Sequence, residues 1–273
     1  MGSVKTIFLI VICISAYNAL ASTDTTLYVH EENIIEGNYS DFYVDNLNNI
    51  YLINGNEQVK KINDKGDSLA VSNSLKKFGD IYSMDVSNPL KILVYHKDFG
   101  TIVVLDRFLN NINKIDLRKI GILQAQATAQ SYDNNYWVFD EVENKLKKID
   151  DNGNTLLSTP DFRVIFSERF TPSKIIDYNN LVYLYDQKYG WMIFDYYGAF
   201  KQKFEMPGLN FVQVTKDLVY GFKNSNIYHF NTQTFKESIY DLPVSEGGLK
   251  LQTFLNVLYI LKADGLHVYS VHY

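Results

Sequence analysis

DYNNLVYLYDQKYGWMIFDYYGAF, residues Asp177–Phe200, decides the fold. Leu181–Asp186 alternates apolar and aromatic residues, a short turn follows, Trp191–Phe194 resumes the alternation, and a glycine turn leads into a third run. Alternation of period two between turn residues marks an antiparallel meander. The same pattern recurs in NIYLIN (Asn49–Asn54), KILVYH (Lys91–His96), NYWVFD (Asn135–Asp140), LVYGFK (Leu218–Lys223) and VLYILK (Val257–Lys262). With Tyr183 of the quoted stretch, the equivalent residues are Tyr51, Leu93, Trp137, Tyr220 and Tyr259, and successive members are 42, 44, 46, 37 and 39 residues apart. A further strand follows each one, and Asn, Asp and Pro fill the turns because they tolerate or preset turn dihedrals.

Six units at this spacing imply radial repetition of small sheets, an all-β six-bladed β-propeller, since a four-stranded blade takes about 40–45 residues. The sixth unit ends at Tyr273 after three strands, and the early strand TTLYVH (Thr25–His30) has no other place. It is expected to close the ring as the outer strand of the last blade. Closure leaves only short, protected sheet edges.

The chain starts with a leader pattern: Lys5, the apolar run Thr6–Ile14, and Ala19-Leu20-Ala21 as a cleavage site. The run is shorter than the roughly 20 residues a membrane span needs. Residues 1–21 read as a signal peptide and 22–273 as one domain, exported to the periplasm or cell envelope without a transmembrane segment. Cys13 as a lipid-modified cysteine is the rival reading, disfavoured by the bulky Val11-Ile12 before it. Cleavage removes the only cysteine, and with it any disulfide or thiolate chemistry. Of 26 Lys+Arg and 31 Asp+Glu, loss of Lys5 leaves 25 against 31, a net charge of −6. An acidic balance argues against a nucleic-acid partner, which calls for a basic face.

The segment DVSNPLKILVYHKDFGTIVVLD (Asp85–Asp106) resembles one shared by uncharacterised secreted propellers of Bacteroidetes, and the similarity continues through Tyr132–Ile149. More broadly the chain is similar to NHL-like and TolB-like six-bladed propellers. The resemblance implies the fold and an exported location, and it transfers no catalytic residue.

Chemistry is sparse. Gly66-Asp67-Ser68-Leu69 spells the GDSL of a hydrolase family, with Asp264 and His267 as matching triad partners. INDKGDSL (Ile62–Leu69) aligns with IDDNGNTL (Ile149–Leu156), however, so Ser68 falls in an ordinary repeated turn. Asp150–Asn154 (DDNGN) lacks the distal Glu of a calcium loop. The five histidines have no zinc spacing, and only His30 and His267 are expected to approach each other, in the closing blade. Gln124, Gln126 and Gln130 alternate with alanines on an expected inner strand: the alanines admit the next blade closely, and the glutamines either pack or line the channel.

The longest crossing between blades, Ser158–Ser173, carries Phe162, Phe166 and Phe170 with Arg163 and Arg169. Long loops and Arg-aromatic anchors are features of binding sites. On the same face fall the second-to-third-strand turns with Lys97, Phe99, Lys188 and Tyr189, and the strand start Trp191. The candidate binding residues are therefore Arg163, Arg169, Tyr189, Trp191, Lys97 and Phe99. The sequence reads as a monomeric binding or scaffold propeller for an envelope protein or glycan, without cofactor or metal. The alternative is a propeller lyase or hydrolase acting at the channel mouth.

Overall fold

A computed structural model describes residues 27–272. Leader, cleavage site, Cys13 and the Thr25–Thr26 start of the expected closing strand lie outside the described residues. Six four-stranded antiparallel sheets form a ring, the six-bladed propeller anticipated from the repeat. Blade 1 runs through Tyr39–Val44, Ile50–Asn54, Val59–Ile62 and Ser68–Ser72; blade 2 through Ser83–Asp85, Lys91–His96, Thr101–Asp106 and Asn111–Asp116. Blade 3 comprises Ala125–Gln130, Tyr136–Asp140, Lys145–Ile149 and Thr155–Ser158, and blade 4 Lys174–Tyr178, Leu181–Asp186, Gly190–Asp195 and Phe200–Phe204. Blade 5 comprises Asn210–Thr215, Leu218–Lys223, Asn226–Asn231 and Glu237–Asp241. Blade 6 takes Lys250–Phe254, Val257–Lys262 and Gly265–His272 from the C-terminal end and Tyr28–Glu36 from the N-terminal end.

The closing strand thus sits where the sequence put it, but it extends to Glu36 through a charged stretch that masked it. An outer strand has little to bury, so its sequence carries a weak apolar signal. A bulge between Glu31 and Asn33 shifts the register. His30 then faces Ser270 while His267 faces Ile34, so the two histidines are not partners.

There is no single core. Each seam between neighbouring blades holds its own apolar slab, from the slab around Tyr51 and Val94 between blades 1 and 2 to that around Phe42 and Leu266 between blades 6 and 1. Middle strands are therefore covered on both faces, which is why Leu181–Asp186 and Lys91–His96 are apolar nearly throughout. The alanines of blade 3 act as anticipated: Ala127 and Ala129 enter the seam with blade 4, and the first strands of these two blades lie against each other.

A repeated tie defines one face. Leu117 N–H donates to Gly100 O (2.8 Å), Phe162 to Asn144 O (2.9 Å), Gly208 to Gln187 O (2.9 Å), Leu242 to Ser225 O (2.7 Å) and Gly37 to Asp264 O (3.2 Å). In blade 1 the side chain of Glu57 takes that role, accepting from Ile81 N–H at 2.7 Å. Each bond joins a crossing between blades to a second-to-third-strand turn, so crossings and turns share one face, here the crossing face. On the opposite face Asp106, Asp150 and Asp195 each fold a turn around one carboxylate oxygen; that of Asp150 accepts from Asn152 N (2.9 Å) and Asn154 N (2.8 Å). Turn geometry accounts for the DDNGN segment.

Candidate binding site at the channel mouth

The crossing between blades 3 and 4 folds inward. Asp161 caps a short helix, Phe162–Phe166, accepting from Arg163 N–H at 2.9 Å, where no helix was anticipated. Phe162 is fully buried, stacked on Phe194 at 5.1 Å and tilted against Phe139 at 5.5 Å. Phe170 packs on Tyr189 at 4.7 Å, and Phe166 packs edge-on to Phe200 at 4.9 Å. The arginines have partners too. The guanidinium of Arg163 grips Asp161 through Nε and Nη2 (2.9 and 2.6 Å), which holds that carboxyl below its ordinary value. Arg169 lies 3.6 Å from the Glu141 carboxylate.

Trp191 does not join these residues at the surface. It is fully buried between blades 4 and 5, edge-on to Tyr185 at 5.0 Å. The reason is positional: it opens a middle strand, and both faces of a middle strand are covered by neighbouring blades. Tyr189 is half-buried, with its hydroxyl 2.8 Å from Lys188 Nζ. Among the sequence candidates, the structure groups Arg163, Arg169 and Tyr189 around one packed crossing and puts Lys97 and Phe99 together in the blade 2 turn.

One concave feature of the ring is its channel, a cavity of about 560 Å³ lined chiefly by the first strands of blades 1, 2, 4, 5 and 6. Blade 3 does not line it, because its glutamines have other partners. Gln124 donates to Glu141 Oε2 (2.6 Å), Gln126 accepts from Lys97 Nζ (2.8 Å), and Gln130 donates to Lys91 O. Much of the polar lining from the other blades clips blade to blade. Gln213 bonds Thr253 through both its amide groups (3.0 and 2.8 Å), and Gln252 bonds Val44 in the same manner (2.9 and 3.1 Å). Asp177 accepts from Trp137 Nε1 at 2.9 Å.

Two lysines remain. Lys250 Nζ lies 2.6 Å from Asp41 Oδ1 and 3.5 Å from the centre of the Tyr43 ring, with a fifth of its side chain open to the channel. Enclosure by the inner strands pushes its ammonium down to about 8 against the pull of Asp41, and Lys174 adds a smaller push in the same direction. The side chain of Lys174, at the start of blade 4, has no hydrogen bond or ion pair among the described residues. Both stand where their strands leave the crossing face, so they mark the mouth. Lys97 joins them through Tyr82, whose ring lines the cavity and carries the Lys97 ammonium at 4.6 Å. Sequence reasoning missed Lys174 and Lys250, although each is a cation at the first position of an inner strand, where the other four blades carry Tyr39, Ser83, Ala125 and Asn210.

Ser68 has no base beside it. His267 belongs to blade 6 and Ser68 to the outer strand of blade 1. Both imidazole nitrogens of His267 are engaged, Nδ1 with Glu31 Oε1 at 2.6 Å and Nε2 with Asp264 Oδ1 at 2.9 Å. Burial opposes protonation, but the two carboxylates carry the imidazole above its ordinary value.

No family model matches this chain, and no curated protein matches it in sequence. Solved structures match its fold. A streptogramin B lyase superposes with a TM-score of 0.63 at 10% identity, over 90% of this chain and 98% of its own. A Bacteroides fragilis protein named as an exported protein gives 0.61 at 10% identity, over 92% and 96%. BamB of Moraxella catarrhalis gives 0.51 at 13% identity, over 85% and 82%. At these identities the likeness shows the propeller and nothing finer. Among the described residues no helix is long and apolar enough to cross a membrane.

Proposed function

We propose that this chain is an exported propeller that acts by binding, taking an envelope protein or glycan at the channel mouth. The observation that carries this reading is the cavity itself: about 560 Å³, walled by five blades, with the Lys174 ammonium unpaired among the described residues. A free cation in a concavity that Tyr43 and Tyr82 also line is a small set of convergent groups of the kind ligand sites use. The leader pattern, the resemblance of Asp85–Asp106 to secreted propellers, and fold neighbours named as exported or as BamB support an envelope location. Arg163, Arg169 and Tyr189, held in the packed crossing between blades 3 and 4, are secondary contacts in this reading.

A photo-cross-linking amino acid placed at Ser83, in the cavity wall, and at Tyr197, exposed on the opposite face, tests this in the native envelope. A discrete adduct from position 83 that weakens with Lys174→Met, and none from 197, is the expected result. No adduct at 83, or the same adduct from both faces, overturns it.

One observation favours a catalytic use of the same mouth: Lys250, with its ammonium lowered to about 8 beside Asp41, is a candidate nucleophile or base for a lyase. Turnover of any captured ligand that is lost in Lys250→Met and kept in Lys174→Met would select that reading.

A further inference from the structure

Away from the channel, the crossing face holds a second concavity of about 620 Å³ beside blade 2. Its residues come from three places in the chain: the crossing into blade 2 (Lys77, Phe78), the turn that carries Phe99, and the outer strand with the crossing after it (Lys114, Arg118, Lys119). Four cations meet one carboxylate here, Asp116, which stands 3.9 Å from Lys119. In a chain with more acids than bases, that imbalance is local and specific.

The cations are not distributed evenly. Lys77 and Lys114 stand over the same ring, their ammonium groups 4.9 and 5.8 Å from the centre of Phe78. Neither has a carboxylate or hydrogen-bond partner among the described residues. An exposed cation–π contact is weak, and two like charges on one ring repel. An anion between them removes the conflict.

The walls are built by glycines. Phe99 lies across Gly79, where a Cβ would come within 2.7 Å of the ring, and Gly79 has φ +86°. The stem of Arg118 lies across Gly100, at φ +59°, where a Cβ would stand 3.2 Å from Cγ. Arg118 donates one Nη2 bond to Asp98 O at 2.6 Å, which fixes the guanidinium and leaves other N–H groups unused. Phe99 keeps 57% of its surface exposed at the edge of this basic floor.

We propose that this concavity binds a phosphate or sulfate ester of a sugar. The oxyanion sits among Lys77, Lys114 and Arg118, and the sugar ring lies against Phe99. Fixed guanidinium and paired ammonium groups suit a multiply charged oxyanion, and an exposed ring suits the apolar face of a saccharide.

Calorimetry on the mature protein with glucose 6-phosphate, glucose 6-sulfate, inorganic phosphate and glucose tests the site. Both esters are expected to bind, glucose not, and inorganic phosphate more weakly than the esters; the stronger ester identifies the source. Lys77→Met with Lys114→Met is expected to weaken ester binding about tenfold or more. Phe99→Ala should weaken the esters and leave inorganic phosphate unchanged, a split that a general loss of charge or of fold would not give. Failure of both esters to bind, equal binding of glucose, or unchanged binding in the double variant overturns the proposal. Loss of binding in Lys174→Met alone also overturns it, by sending the ester to the channel.

Discussion

Two parts of the crossing face are built from the same residue types and use them oppositely. The crossing between blades 3 and 4 brings phenylalanines and basic residues together, and so does the concavity beside blade 2. In the first, Phe162 and Phe170 are buried and each arginine faces a carboxylate, Asp161 or Glu141. In the second, Phe99 is exposed and Lys77 and Lys114 face only a ring. The difference lies in length and in neighbours. The first crossing is long enough to turn back on itself and drop its rings into the seam; its own Asp161 reaches Arg163, and Glu141 from the adjacent turn of blade 3 reaches Arg169. The second is assembled from short segments that cannot fold inward, and one acid serves four cations. Composition marks both as binding surfaces; only burial and pairing separate packing from availability.

The contrast can be broken most directly at Phe162. Replacing it with Ala should cost about 3–5 kcal/mol of stability by opening a cavity in the seam, read as a lower denaturant midpoint. Phe99→Ala should leave that midpoint nearly unchanged while reducing ester affinity. If Phe99→Ala instead destabilises as much as Phe162→Ala, the two regions are alike and both are packing.

A third cation sharpens the comparison because it is paired on both sides. His267, between Glu31 and Asp264, has a folded-state value raised above 6.5, so its contribution is full below 6.5 and is lost as pH rises through that higher value. The two carboxyls are held below their ordinary 4.5 and 3.8, Glu31 chiefly by its hydrogen bond to His267 and Asp264 by its own. Their contribution is present above those ordinary values and is lost on acidification. Thermal midpoints should therefore decline as pH rises above 6.5 in the wild type, and His267→Gln should flatten that decline. An unchanged profile would show that the closing seam does not depend on the imidazolium.

Smaller effects are expected from the surface cations. Arg163→Ala and Arg169→Ala should barely move the midpoint, as for exposed ion pairs. Lys114→Met should leave it unchanged or raise it slightly at low salt, with the gain fading as salt screens the repulsion from Lys77. A marked fall for Lys114→Met would mean that Phe78 needs that ammonium.

The ring was legible because each middle strand is sandwiched between blades, and the column from Tyr51 to Tyr259 repeats that environment six times. In the sheets, Tyr51 faces Tyr43, Trp137 faces Ala129 and Tyr259 faces Gln252, each paired with the inner strand of its own blade. The candidate sites were less legible. Trp191 looked available because it follows a turn, yet it pairs with Tyr185 and Phe204 inside the sheet, and the sandwiching that makes the repeat readable forbids its exposure. Lys174 and Lys250 are separated by two blades in the chain and meet only across the channel. The basic concavity draws on Lys77 and Arg118, which flank blade 2 in the chain and become neighbours only once that blade has folded.

The closing strand also fixes how the ring responds to a pull. Tyr28 lies opposite His272 and Glu36 opposite Gly265, so a load drawing residues 28 and 272 apart enters the ladder at one end. An antiparallel ladder loaded there parts one pair at a time and resists with one pair's strength, whereas shear would set every pair against the load together. The first four pairs, from Tyr28–His272 to Glu31–Tyr269, run without interruption up to the bulge, and the Glu31–His267 bond lies at that point. The seam is thus a zip with a catch partway along: it begins to open under little force and stalls at the imidazole.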